Sequence, residues 1–352
     1  MAMSAMDPSN AENAAARCKA RRSTLLDATR KRQLLQLSAD QLVTSIADSG
    51  YRKEIDLYAT RFSGAELIEV ALAHNLARDV AQVTGFCQGY LRLQVGVYTA
   101  RFAYENAKTV LRAVRNDIDV ETVASSILPE ENDLNAIWLE IVRSAQDLRG
   151  AVEAMESMPL SRPLLELPAD ASLQAMEDAL DRHYYTTALQ AVRRPDAASS
   201  TLRRFLQMEV DKRNILNLLR AFREGLPAER RAAMMLPGGR LFAGANARSA
   251  AAIEDNDALL DLLRRSSNFD TAGFEEALRE STAARTLDPA VSWLDHRRHE
   301  QLRKLSFLHP LSALPVIYYI ASKVEEVSEL RMMVRGLSAG LSREDIESHM
   351  NL

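Results

Sequence analysis

The chain repeats itself at an offset of 108 residues, and that period constrains its fold more than any other feature. Leu128-Pro129 returns as Leu236-Pro237, and Glu69-Val70-Ala71-Leu72 as Glu177-Asp178-Ala179-Leu180. Asn106 with Leu111-Arg112-Ala113-Val114-Arg115 returns as Asn214 with Leu219-Arg220-Ala221-Phe222-Arg223. A third copy reads Glu275-Glu276-Ala277-Leu278, then Glu329 with Val334-Arg335, the last pair standing 115 residues after Asn214 and Arg220. From the Glu-x-Ala-Leu element to the Asn or Glu is 37 residues in the first two copies and 54 in the third, which reads as a 17-residue insertion. Three units then fill the chain, at 22–129, 130–237 and 238–352, and residues 1–21 stand outside them as an extension.

Each unit closes on a helix. Ala107, Val110, Leu111 and Val114 fall at i, i+3, i+4 and i+7, as do Ile215, Leu218, Leu219 and Phe222, and Leu330, Met333, Val334 and Leu337. On such a helix the Asn or Glu before the stripe and the Arg inside it lie on opposite flanks of the apolar face, so each is expected to find a different partner. Ile118, Leu226 and Leu341 follow, each with a Glu three residues on (Glu121, Glu229, Glu344), a pattern of a turn and a short acid-started helix. Ser342 is placed to cap the last one.

Gly and Pro make only 24 of 352 residues, which leaves few turns and favours long helices over a turn-rich sandwich. No stretch alternates like a strand, and Tyr318-Tyr319-Ile320 sits inside a helical pattern. The fold class is all-α. A net charge of -4 gives no support for nucleic-acid binding. The basic residues near the start (Arg17, Lys19, Arg21, Arg22, then Arg30, Lys31 and Arg32) read as a solvated first helix, with the segment before it frayed. Cys18 and Cys87 form no metal or disulfide framework, which fits a reducing cytoplasm. The longest apolar stretch, 311–321, is interrupted by Pro315 and is too short to span a bilayer.

Catalytic chemistry finds no foothold. The chain lacks a P-loop and a Gly-x-Gly-x-x-Gly turn; Gly85–Gly89 and Pro237-Gly238-Gly239 read as plain turns. His296, His299 and Glu300 lack the further carboxylates a metal would need, and Glu325, Glu326 and Glu329 read as surface or inter-helix charges. No catalytic, cofactor or metal residue is expected. The recurring polar positions, Asn106, Arg112, Asn214, Arg220, Glu329 and Arg335, are the candidate interface residues, because helix propensity alone does not demand Arg at one place in three copies. An Arg there partly buried against a carboxylate of the next unit would cost about 3 to 5 kcal/mol to truncate.

The stretch Pro310-Leu311-Ser312-Ala313-Leu314-Pro315 with Tyr318, Lys323, Glu325-Glu326-Val327, Leu330-Arg331 and Arg335-Gly336 resembles the close of the third lobe of a known family. Glu209-Val210-Asp211-Lys212-Arg213-Asn214 with Pro237-Gly238-Gly239 resembles its second lobe. The family is that of the C subunit of the archaeal and bacterial V-type (A-type) rotary ATPase, whose counterpart in the vacuolar enzyme is the d subunit. The resemblance implies a three-lobed, pseudo-symmetric helical funnel that does no chemistry. It implies a socket for the central shaft, made of the D and F subunits, seated on the proteolipid ring at the cytoplasmic face of the membrane and passing torque for H+ or Na+ transport. A helical-repeat scaffold for another ring or peptide partner, and a helical metal or prenyl-type enzyme, are the competing classes; the second lacks an Asp-Asp-x-x-Asp pair.

Overall fold

Long apolar-faced runs with few breakers fold into helices, and the computed structural model is helical throughout, with no strand among the described residues. It describes residues 9–124, 127, 134–243, 249, 250, 252–266, 269 and 271–350. In chain order the helices are α1 (Ala11–Arg22), α2 (Ala28–Leu35), α3 (Ala39–Ile46), α4 (Arg52–Tyr58), α5 (Gly64–Phe86), α6 (Gly89–Thr99) and α7 (Arg101–Arg115). Then come α8 (Val120–Ala124), α9 (Leu134–Ser144), α10 (Leu148–Ala154), α11 (Arg162–Leu165), α12 (Leu173–Ala191), α13 (Ala197–Arg223) and α14 (Ala228–Met234). The chain ends with α15 (Asn256–Arg264), α16 (Ala272–Ala284), α17 (Asp288–Leu308), α18 (Leu314–Ser338) and α19 (Arg343–Ser348).

The chain gathers into two compact units: one runs through Glu177 and resumes at Pro315, the other holds Asp178–Leu314. Both cuts fall inside the sequence repeats and not at their boundaries. In the first unit the core joins Leu34, Leu35, Ile46 and Tyr51 to Ile68, Leu72 and the α18 residues Val327, Leu330, Met333 and Val334. In the second, Ile215, Leu218 and Leu219 of α13 pack with Leu259, Leu263, Phe274, Leu278 and Leu294.

The repeat is visible in backbone geometry. Each closing helix ends with an amide bonded back five residues: Ile118 to the Ala113 carbonyl at 3.0 Å, Leu226 to Ala221 at 2.9 Å and Leu341 to Gly336 at 2.9 Å. The residue before each of these has positive φ: Asp117 at 51°, Gly225 at 62°, Gly340 at 74°. This is the left-handed turn that satisfies the last carbonyls of a helix, and only the first copy makes it without glycine. The short helix that follows each is α8, α14 or α19, and the Ser342 hydroxyl caps the last by accepting from Asp345 N at 3.0 Å. At the carbonyl position the copies carry Ala113, Ala221 and Gly336; a Cβ on Gly336 would meet Ile346 Cγ1 at 2.7 Å.

The start of the chain differs from the expectation of a frayed segment. Helix α1 buries Ala14 and Cys18, Asn10 donates to the Phe86 carbonyl and accepts from Gln88 N, and Arg17 stacks on the Phe86 ring. The small residues Ala14 and Cys18, one turn apart, give the helix a face narrow enough to lie on α5. Both cysteines are free, and burial pushes the thiols up, Cys18 to about 12 and Cys87 to about 11.

Candidate functional site

The recurring polar positions lie on the closing helices, and their surroundings divide them into three kinds. The first kind is the residue ahead of the apolar stripe, which is buried in every copy: Asn106, Asn214 and Glu329 are at most 5% exposed. Asn214 reads the backbone of its own repeat, donating to the Leu236 carbonyl at 3.0 Å and accepting from Leu236 N at 2.7 Å. It thereby holds the Leu-Pro turn 22 residues downstream, a partner on its own repeat rather than on a neighbouring helix or in solvent. Leu128-Pro129, which stands to Asn106 as Leu236-Pro237 stands to Asn214, lies outside the described residues. In the third copy the amide is replaced by a carboxylate, and the reason is Lys31, a residue 9% exposed whose ammonium pairs with Glu329.

Lys31 belongs to a wider buried network that ties the chain's first elements to α18. Glu326 accepts from the Tyr51 hydroxyl at 2.6 Å, from Lys323 Nζ at 2.8 Å and from Leu26 N. Burial and the Glu326 charge hold the Tyr51 phenol far above its ordinary range. About two turns earlier on α18, Tyr319 donates to Asp79 of α5, which also pairs with Arg21 of α1, while Arg22 stacks on the Tyr318 ring at 4.7 Å. Sequence reading took Lys31 and Arg21 for solvated charges. The signal was the change from Asn to Glu at a position that must be buried, since an interior carboxylate requires a cation.

The second kind is the pair Arg112 and Arg335. Arg112 grips Glu177 with Nε at 2.6 Å and Nη2 at 3.0 Å. Arg335 grips Glu69 in the same two-pronged way, Nε at 2.7 Å. Both acceptors are the Glu of a Glu-x-Ala-Leu element, so the Arg of the first repeat holds the second repeat and the Arg of the third holds the first. The guanidinium groups are half exposed and the carboxylates mostly buried. Solvent therefore screens these clamps, and truncating one Arg is expected to cost about 1 to 2 kcal/mol rather than the 3 to 5 of a fully buried pair. Forked hydrogen bonding to Glu69 raises the Arg335 pKa further.

The third kind is Arg220 alone. Its side chain is exposed and makes no hydrogen bond or ion pair among the described residues. The expected acceptor, Glu275, sits on α16 and is held by Arg264 at 2.7 Å. The helix that occupies the place of α5 and α12 is instead α17, which starts 115 residues after α12, as α18 ends 115 after α13. Counting by that offset puts Ser292 where Glu177 stands; matching buried Ala290, Leu294 and Leu302 to Met176, Leu180 and Ala188 puts Val291 there. Neither bears a carboxylate. The Glu275 element is thus a chance likeness ahead of α17, and the insertion counted from it as 17 residues is seven, the difference between the 115-residue and 108-residue offsets.

The α13–α17 junction is held elsewhere. Lys212 pairs with Asp295 and Arg298 with Glu209 at 3.3 Å, while Arg213 holds Asp181 at 2.9 Å. Asp211 accepts from the Arg240 and Leu241 amides at 2.9 and 3.0 Å; burial pushes its carboxyl up to about 6 against those donors. The turn comes this close only because Gly238 takes φ of 98° and Gly239 lacks the Cβ that would strike Asp211. Every polar residue of Glu209–Asn214 therefore has a structural task. Among the described residues no group of three or more potential ligands gathers for a metal; His296 lies exposed, 3.8 Å from Glu300. No described helix is long and apolar enough to cross a membrane.

These pairs join one repeat to another. Comparison with known proteins supplies the family. The family model described as ATP synthase (C/AC39) subunit matches residues 14–349, so the match takes in much of α1. The A-type ATP synthase C subunit of Haloquadratum walsbyi is 31% identical over 345 residues, covering 96% of this chain and 97% of its own. That of Halorubrum lacusprofundi is 31% identical with 99% of both chains covered, and that of Archaeoglobus fulgidus 28% with 95% and 94%. The chain belongs to the ATP synthase (C/AC39) subunit family.

Proposed function

We propose that the chain is a non-catalytic central-stalk rotor subunit, a socket that joins the D and F shaft to the proteolipid ring and transmits torque during ATP-coupled H+ or Na+ transport. The observation that carries the reading is the pairing of repeat to repeat: Arg112 to Glu177 and Arg335 to Glu69. A body that passes torque must not shear between its parts, and forked ion pairs over close-packed apolar cores resist that motion. The buried Tyr51, Lys323 and Glu326 cluster adds directional bonds where apolar packing alone would permit sliding. Three lobes at 22–129, 130–237 and 238–352 arranged as a funnel supply the socket, and attachment at the cytoplasmic face comes through the ring, with no span of the chain's own. Asn106 and Asn214 serve inside the lobes, whereas Glu329, through Lys31, and Arg112 and Arg335 serve at their junctions.

The test is a pull-down of the tagged chain from gently solubilised membranes of its source, with partners identified by mass spectrometry. Recovery of the shaft subunits together with the proteolipid is the expected result. Recovery of the chain alone from membranes that retain ATPase activity would sink the reading.

A further inference from the structure

We infer that Arg220 is a docking residue for a partner subunit, built to take a carboxylate presented on the flank of that partner's helix. The inference rests on the proposed function, since it requires that the chain work inside a complex. Three copies of one arginine position exist, and two show what the position accepts: a carboxylate near the start of an adjacent helix, gripped by Nε and Nη2 together. In the remaining copy, the second, the same arginine stands in the last turn of α13 and is exposed, and the residues at the matching place on α17 are Val291 and Ser292 instead of an acid. Asp295 pairs with Lys212 and Glu275 with Arg264. Among the described residues the charge has thus been kept without the intrachain clamp that its two counterparts make.

Arg220 follows Leu219, which with Phe222 and Leu287 gives an apolar part to a cavity of about 470 Å³; Arg223, Glu254 and Asp255 also line that cavity, and Arg220 itself does not. The arginine rather than the cavity therefore selects the occupant, by the carboxylate its counterparts grip. The occupant the site fits is a partner helix that presents a Glu or Asp to Arg220. The forks of Arg112 and Arg335 are already filled, and at Arg335 this holds although a cavity of about 790 Å³ opens beside it.

The test uses source membranes stripped of this protein and rebinding of the purified full-length chain. Arg220→Ala should keep the melting temperature of the isolated protein within about 1 °C and weaken rebinding about 10-fold or more. Val291→Glu and Ser292→Glu are made as a pair of single variants; the one that reaches Arg220 should raise the melting temperature and also weaken rebinding, because it fills the fork from within. Arg112→Ala supplies the contrast, a lower melting temperature. Wild-type rebinding by Arg220→Ala would overturn the inference while leaving the rotor reading intact. Failure of the wild-type chain itself to rebind stripped membranes would overturn both.

Discussion

The two clamped junctions and the unclamped one use the same arginine, and their difference shows that a repeated residue does not carry its role with it. Arg112 and Arg335 are anchored because the opposing helices, α12 and α5, kept Glu177 and Glu69. Arg220 is not, because α17 entered that place after an inserted segment and brought no acid. The α13–α17 junction is held by other charges at another level, Lys212 with Asp295 and Glu209 with Arg298. Divergence of the repeats has thus left one arginine without the clamp that its counterparts make.

The comparison can be broken hardest at the third repeat's other variation. Glu329→Ala strands the Lys31 ammonium in the core, and we expect a loss of about 3 to 5 kcal/mol in denaturant unfolding; Lys31→Met with Glu329→Leu should recover most of it. Should the single and double variants unfold at the same midpoint, the pair is not the reason for the Asn-to-Glu change. In the second repeat, Asn214→Ala leaves the Leu236 amide and carbonyl unmet and should cost about 2 to 3 kcal/mol.

Acidity probes the second repeat separately. The folded-state pKa of Asp211, about 6, lies above its ordinary value of 3.8, so between those values the folded chain binds a proton that the unfolded chain does not. Its contribution is therefore fully favourable below about pH 4 and is lost as pH rises through 6. The difference in unfolding free energy between wild type and Asp211→Asn, followed from pH 4.5 to 7, should decline by up to about 2 kcal/mol. A flat difference would mean that the Arg240 and Leu241 amides offset burial.

Smaller effects sharpen the clamp comparison itself. Arg112→Ala and Arg335→Ala should each cost about 1 to 2 kcal/mol, whereas Arg220→Ala should fall within about 0.5 kcal/mol of zero. Equal losses at all three positions would erase the distinction drawn between them. Finally, Asp117→Gly should stabilise by about 0.5 to 1 kcal/mol, because the two other copies already place glycine in that left-handed turn.

Much of this was legible before any coordinates. Helical spacing identified the buried stripes, and in each copy the first three members are almost fully buried while the fourth, Val114, Phe222 or Leu337, is half-buried. The period also located the turn at 117, 225 and 340, since backbone hydrogen bonds within a helix end obey local rules that sequence encodes directly. Local order at α1 was missed because two small buried residues, Ala14 and Cys18, make a weak apolar signal amid Arg and Lys.

The sequence by itself determined the class of the protein: its helices, their caps and turns, and a threefold recurrence of Asn or Glu and Arg, all set by interactions among residues a few positions apart. Only the tertiary structure decided which of those charges are spent. Lys31 lies 298 residues from Glu329, and Glu69 lies 266 from Arg335. Whether such groups meet depends on how helices pack, and a carboxylate displaced by one turn is lost to its partner. That is why three identical arginines in the sequence become two clamps and one open hand in the fold.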